Sequence, residues 1–221
     1  SDSLISSFIY DEFIILQKTR EIILNDINEI LTTIKDNNQM TQKQLEIISN
    51  LERSIIPNSW NSYNFICNDL STWIDDLCMR INHINKSISS NILGRDNMNL
   101  GLFKSPETLL AAAKQTAAKL NKWPVEKVKM KIILERKEVE KEYEIIITDI
   151  QTLNSEWKNN SLNSTDEVTG ELSKLLITWT LENNKEELLV PCFMTKSKNR
   201  KVFDAYLPIN NNKSKLWWTI R

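Results

Sequence analysis

One change of rhythm constrains this polypeptide more than any other feature. Up to about Pro124, apolar residues recur at helical spacing; beyond it, short β-branched and aromatic runs are separated by loops of Asn, Lys and Ser. A polypeptide patterned this way is expected to fold as α+β. The expectation is a helical part at 1–124 with about four main helices, the first one long. A mostly antiparallel β part at 125–221, barrel-like or an open sheet, packs on it. With 221 residues and 41% hydrophobic content, it has enough apolar material to bury a substantial core. No internal repeat or long flexible linker interrupts it.

The first helix is expected from about Ser3 to Lys35, with Leu4, Phe8, Ile15, Ile22, Ile23, Ile27, Ile30 and Ile34 as its stripe. At 1.5 Å per residue it spans roughly 48 Å, long for one helical layer. Part of the stripe should therefore project toward a surface outside the domain, leaving Leu4, Phe8 and Ile9 under-covered. Asp36-Asn37-Asn38 ends this helix, Thr41 with Gln44 forms a capping-box signature for the second, and Pro57 stops that one. A third helix carries Leu70, Trp73, Ile74, Leu77, Ile81, Ile84 and Ile88. Ser105 and Pro106 suit the cap and first position of a fourth, whose Ala111, Ala112, Ala113, Ala117 and Ala118 permit close helix approach.

Strands are expected at Val128–Leu134, Glu144–Leu153, Leu175–Leu181, Leu188–Met194, Val202–Ile209 and Lys215–Ile220. Residues 135–142 could extend a helix. A charged hairpin loop is favoured, because Ile145-Ile146-Ile147 needs an antiparallel partner. In the last strand Leu216, Trp218 and Ile220 share one face, and Trp217 and Thr219 the other. Trp218 is therefore expected in the core and Trp217 outward, covered either by the helical half or by a partner.

The chemistry is mostly negative. The only glycines are Gly94, Gly101 and Gly170, and none lies in a phosphate-cradling loop, which removes the P-loop and the dinucleotide fingerprint. The one histidine, His83, falls with Asp76, Arg80 and Ser87 on what reads as a solvated polar stripe. Asp75 and Asp76 diverge by about 100° on a helix and cannot act as a carboxylate pair. Cys67, Cys78 and Cys192 share no metal or redox spacing; Cys67 and Cys78 read as core thiols, and the odd count points to a reduced, intracellular setting. A net charge of -1 exerts no bulk pull on nucleic acid or membrane, and no run of about 18 apolar residues occurs. The cluster Lys196, Lys198, Arg200 and Lys201 reads as a solvated hairpin loop rather than a grip on an acidic partner. No catalytic, cofactor-binding or metal-ligating residue is assigned.

Several short motifs in colinear order resemble the C-terminal domain of dynein heavy chains, of cytoplasmic and fungal-like type. They are Phe8-Ile9-Tyr10-Asp11-Glu12, the Ile34–Thr41 turn followed by Leu45-Glu46, Pro57-Asn58-Ser59-Trp60, and Trp73-Ile74-Asp75-Asp76-Leu77 with Arg80. Gly101-Leu102-Phe103, Pro106-Glu107, Ala112 with Gln115, Trp123 and Leu189-Val190-Pro191 continue the series. Asp36 stands where that family has a turn glycine, and Ala111 where it has a threonine.

The resemblance implies a non-catalytic domain on one face of a ring of six AAA+ modules of the same heavy chain, bracing the ring and tuning force or processivity. It implies a parent that is an ATP-driven, minus-end-directed motor of the cytoplasm and cytoskeleton, gripping microtubules through a separate stalk. ATP and Mg belong to the parent ring and no cofactor to this fragment. Leu4, Phe8, Ile9 and Trp217 are then the candidate interface residues. The competing expectation is a free-standing interaction module with a helical bundle and a β platform.

Overall fold

The change of rhythm becomes an order of elements. A computed structural model describes residues 3–61, 67, 69–133, 136, 138–153, 155–158, 161–164, 170–172, 174–181, 187–194, 200–208 and 217–220. Side chains are described over 3–61, 67, 69–133, 136, 138–151, 174–181, 191–194 and 200–204. The helices are α1 (Leu4–Lys35), α2 (Gln42–Glu52), α3 (Leu70–Ser89) and α4 (Pro106–Asn121). The strands that follow are β1 (Lys129–Ile133), β2 (Ile145–Ile147), β3 (Ile150–Leu153), β4 (Ser155–Lys158) and β5 (Ser161–Ser164). Then come β6 (Gly170–Leu172), β7 (Leu175–Thr180), β8 (Glu187–Met194), β9 (Arg200–Pro208) and β10 (Trp217–Ile220). The class is α+β. Two compact units are formed, one of residues 11–85 and one of 1–10 with 86–221. Pro124 lies inside the second, so α4 belongs with the strands.

In the unit 11–85 the helix ends follow local chemistry. Asn37 takes a φ of 58°, a left-handed conformation that closes α1. The Thr41 hydroxyl accepts from the Gln44 N–H at 3.3 Å, and the Gln44 side chain accepts from the Thr41 N–H at 2.9 Å, completing the capping box of α2. Asp69 opens α3 by accepting from the Thr72 N–H at 2.9 Å and the Thr72 hydroxyl at 2.8 Å. Those bonds hold its carboxyl below the usual carboxylate range.

Which face of α3 is buried departs from the sequence expectation. Trp73, Leu77 and Ile84 are buried as expected, but Ile74 is exposed. Asp76, Arg80 and Ser87, expected in solvent, are buried, and His83 is partly covered. Arg80 Nε donates to Asp76 Oδ2 at 2.7 Å, a pair one turn apart that lets both charges leave water together. Cys78 is exposed and Cys67 partly covered, so neither is an enclosed core thiol; Cys192 is the buried cysteine.

In the second unit β1 and β2 both pair antiparallel with β7, in the order β1-β7-β2. The antiparallel partner of Ile145–Ile147 is therefore β7 and not β1, which corrects the hairpin expectation. All three isoleucines are fully buried, as in a strand covered on both faces. The expected strand 144–153 is broken at Asp149, whose φ is 60°. Its Oδ2 accepts from the Thr148 hydroxyl at 2.7 Å and Asn99 Nδ2 at 3.0 Å. After this break β3 joins a second sheet, β6-β3-β10-β8-β9, antiparallel except where β10 runs parallel to β8. β4 and β5 form a two-stranded ribbon. Among the described residues these are three sheets and not a closed barrel, and β4, β5 and β6 were not anticipated.

Helix α4 begins at Pro106, but the Ser105 side chain makes no capping bond. Its buried small residues, Ala113, Ala117 and Ala118, belong to a helix that lies by β7 and β9; Ala111 is exposed. The close approach they allow is thus to strands. Gly94 has a φ of +64°, and a Cβ there would meet Ser87 Oγ at 2.7 Å and Ser87 Cα at 2.9 Å, so the turn after α3 requires glycine.

Candidate docking surface

The surface most suited to a partner is set by the orientation of α1. Its buried positions are Ile5, Phe8, Ile9, Glu12, Leu16, Thr19, Asp26 and Ile30; with the partly covered Ile23, all but Phe8 follow one another in steps of four and three. The stripe expected from sequence is offset from this seam, since Ile22 and Ile34 are exposed. Every seventh seam residue from Glu12 is polar, and Asp26 shows how such a residue is held. Its Oδ1 accepts from Lys43 Nζ at 2.6 Å, and its Oδ2 accepts from Trp60 Nε1 at 2.9 Å and the Ser59 hydroxyl at 3.4 Å. Burial opposes the charge, but the Lys43, Trp60 and Ser59 hydrogen bonds outweigh it and hold the carboxyl below its usual range. Asp26 thereby ties α1 to α2 and to the Pro57–Trp60 turn. Gln44 Nε2 donates to the Thr33 hydroxyl at 2.9 Å and repeats the tie one heptad onward.

With the seam fixed, the opposite side of α1 faces solvent. Ile14, Leu24 and Leu31 are exposed there, Leu31 to 58%, with Gln17, Glu21 and Asn28 between them. These six positions again step by three and four, forming a second, mixed stripe of the kind that another helix or a flat surface can cover.

The four candidate interface residues fare differently. Leu4 is 43% exposed. Phe8 and Ile9 are buried within the domain itself, which corrects the expectation that they lack cover. The Phe8 ring lies 5.5 Å from that of Phe103 at 57°, a tilted aromatic pair. The segment 1–10 packs with residues after 85, a long-range partner that helical spacing cannot reveal. Trp217 lies in β10, paired with Leu153, but its side chain and that of Trp218 fall outside the described residues. Ile14, Leu24 and Leu31 were missed, although their shared spacing was readable as a second apolar face.

The Glu144 carboxylate is fully buried and accepts from the Glu140 N–H at 3.0 Å, the Lys141 N–H at 3.1 Å, the Thr178 hydroxyl at 3.1 Å and Arg136. Burial would raise its pKa, but these donors lower it below the ordinary range. Burial alone pushes the Cys192 thiol far up, which favours its protonated form. Of the basic cluster, Lys196 and Lys198 lie outside the described residues. Arg200 pairs with Glu107 at 2.8 Å and Lys201 with Asp204 at 3.0 Å. Among the described residues no group of His, Cys, Asp and Glu could hold a metal ion, and no helix is long and apolar enough to cross a membrane.

A family model for the C-terminal domain of the dynein heavy chain matches residues 2–221. The protein belongs to that family. Similar curated proteins are cytoplasmic dynein heavy chains. That of Dictyostelium discoideum is 24% identical over 204 residues, covering 89% of this sequence and 4% of the relative. That of Paramecium tetraurelia is 20% identical over 202 residues, covering 89% and 4%. That of Drosophila melanogaster is 20% identical over 202 residues, covering 86% and 4%. This dynein C-terminal domain thus spans about 4% of the length of the relatives it matches.

Proposed function

We propose that these residues form the non-catalytic C-terminal domain of a cytoplasmic dynein heavy chain. In this reading the domain braces the AAA+ ring of its own heavy chain and tunes the force or processivity of an ATP-driven, minus-end-directed motor on microtubules. The parent acts in the cytoplasm on the cytoskeleton. ATP and Mg are bound by the ring, and this domain takes no cofactor, nucleic acid or membrane. The family match over nearly the whole sequence carries the reading. The outward stripe Ile14, Leu24 and Leu31 of the unit 11–85 supplies a surface for ring contact, and Leu4 and Trp217 of the other unit are proposed as separate contacts. The missing phosphate loop supports the assignment of ATP chemistry elsewhere.

The test is Leu24→Ser with Leu31→Ser in the full-length heavy chain. Expected is altered stall force or run length with an unchanged thermal midpoint of the 221-residue domain, because both side chains already face water. Unaltered motility would overturn the bracing role. Calorimetry that detected micromolar Mg-ATP binding to the 221-residue domain would overturn the non-catalytic assignment.

A further inference from the structure

The C-terminal end of α4 shows a core face that outruns its cover. Along this helix Leu109, Ala113 and Thr116 are buried at steps of four and three, and Leu120, the next position of the same face, is 53% exposed. Lys122 then takes a left-handed φ of 55°, and the Trp123 N–H donates to the Ala118 carbonyl at 2.9 Å, so the backbone reverses directly beside Leu120. Val125, in the 3-10 turn 125–127, is 44% exposed, and Trp123 is half-buried. Leu181, one residue beyond the Thr180–Lys129 pair, is also exposed and stands at the same end of the β1–β7 ladder.

The charge along the stretch that carries Leu120, Trp123 and Val125 is one-sided. Residues 114–131 contain Lys114, Lys119, Lys122, Lys127, Lys129 and Lys131 against a single acid, Glu126, in a protein whose net charge is -1. Lys119, Lys122 and Lys127 are exposed. An apolar centre with a rim of one sign is the pattern of a protein interface whose partner carries the opposite sign. An anionic membrane fits less well, because insertion needs a long apolar helix face, whereas here Leu120, Val125 and the half-buried Trp123 sit at a helix end and a turn.

We propose that this lysine-rimmed patch docks an acidic, apolar-centred surface of the same heavy chain outside these 221 residues. Relatives in which this domain is about 4% of the length leave ample polypeptide to supply that surface. The proposal rests on the reading of the domain as a brace within its own heavy chain, and it adds a second contact whose chemistry differs from that of α1. Lysines 119, 122 and 127 select the acidic surface, and Leu120 with Val125 seats it.

Amine acylation read by mass spectrometry, on the full-length heavy chain and on the 221-residue domain, tests the proposal. Lys119, Lys122 and Lys127 should acylate at least about fivefold more slowly in the full-length protein, since covered groups react only when the contact opens. Lys174, an exposed lysine away from the patch, should be unchanged. Lys122→Glu with Lys127→Glu should return Lys119 to its rate in the 221-residue domain. Equal rates in both proteins overturn the proposal. Protection that survives the charge reversal overturns its acidic partner, and protection seen only with phosphatidylserine vesicles overturns its protein partner. Hydroxyl-radical footprinting of Leu24 and Leu31 separates the two readings. If these are protected and the lysines are not, only the present proposal fails; if neither set is protected, the brace fails as well.

Discussion

The interior of the unit 11–85 mixes Glu12, Thr19, Asp26, Asp76 and Arg80 among its apolar side chains, whereas the centre of the strand-bearing unit is Ile145, Ile146, Ile147, Leu176 and Ile177, all fully enclosed. The difference follows from how each element keeps its register. Strand register is enforced by the hydrogen-bond ladder and by side-chain alternation, because a one-residue slip turns every side chain to the wrong face. Aliphatic packing is then sufficient. A heptad seam has no such safeguard: seven residues along, an apolar stripe presents much the same surface. Asp26 breaks that degeneracy, because only one register offers it Lys43, Ser59 and Trp60. The buried carboxylate of the strand-bearing unit fits the same rule. Glu144 sits where the backbone must pass from β1 to β2 on opposite sides of β7, and the Thr178 hydroxyl on β7 is one of its anchors.

The largest expected effect is in the apolar interior. Phe103→Ala removes an enclosed ring and its contact with Phe8, and should cost about 3–5 kcal/mol in urea unfolding. A loss under about 1 kcal/mol would show that the segment 1–10 is not held by this pair.

Next, Asp26→Ala leaves the Trp60 indole N–H buried without its acceptor and should cost about 2–4 kcal/mol. The Trp60 fluorescence should change as well. If Asp26→Leu instead stabilises the fold and keeps α1 in place, the register argument is wrong.

Acid should then separate the polar anchors from the apolar interior. Asp26 and Glu144 both titrate below the ordinary carboxylate range, so their contribution is complete above about pH 5 and is lost as pH falls through about 4 and below. The urea midpoint of the native protein should fall over that window. The combination Asp26→Asn with Glu144→Gln should start lower and flatten the profile; an unchanged slope would assign the acid sensitivity to other carboxylates.

The smallest effect is expected from Lys43→Ala. The Lys43 side chain is 59% exposed, so its pair with Asp26 is screened by solvent and its loss should be well under that for Asp26→Ala. Equal losses would mean that the ion pair, and not the Trp60 bond, fixes the seam.

The sequence by itself determined the features whose causes are local. Thr41 and Gln44 cap α2, Asn37 follows the end of α1, and Pro106 opens α4, because each acts on backbone groups within about four residues. The runs at β1, β7, β8 and β9 were legible for the same reason, as was the family through its ordered motifs. What only the tertiary structure decided is which of several apolar faces is covered, and by what. α1 carries two three-four stripes, one through Ile9, Leu16 and Ile30 and one through Ile14, Leu24 and Leu31, and periodicity scores them alike. The choice lay with partners far away in sequence: Lys43 and Trp60 for Asp26, Phe103 for Phe8, and Leu176 for Ile146. Helical and strand periods describe one element at a time, whereas burial is a property of pairs, so which face of α1 stays in solvent was decided by those pairs.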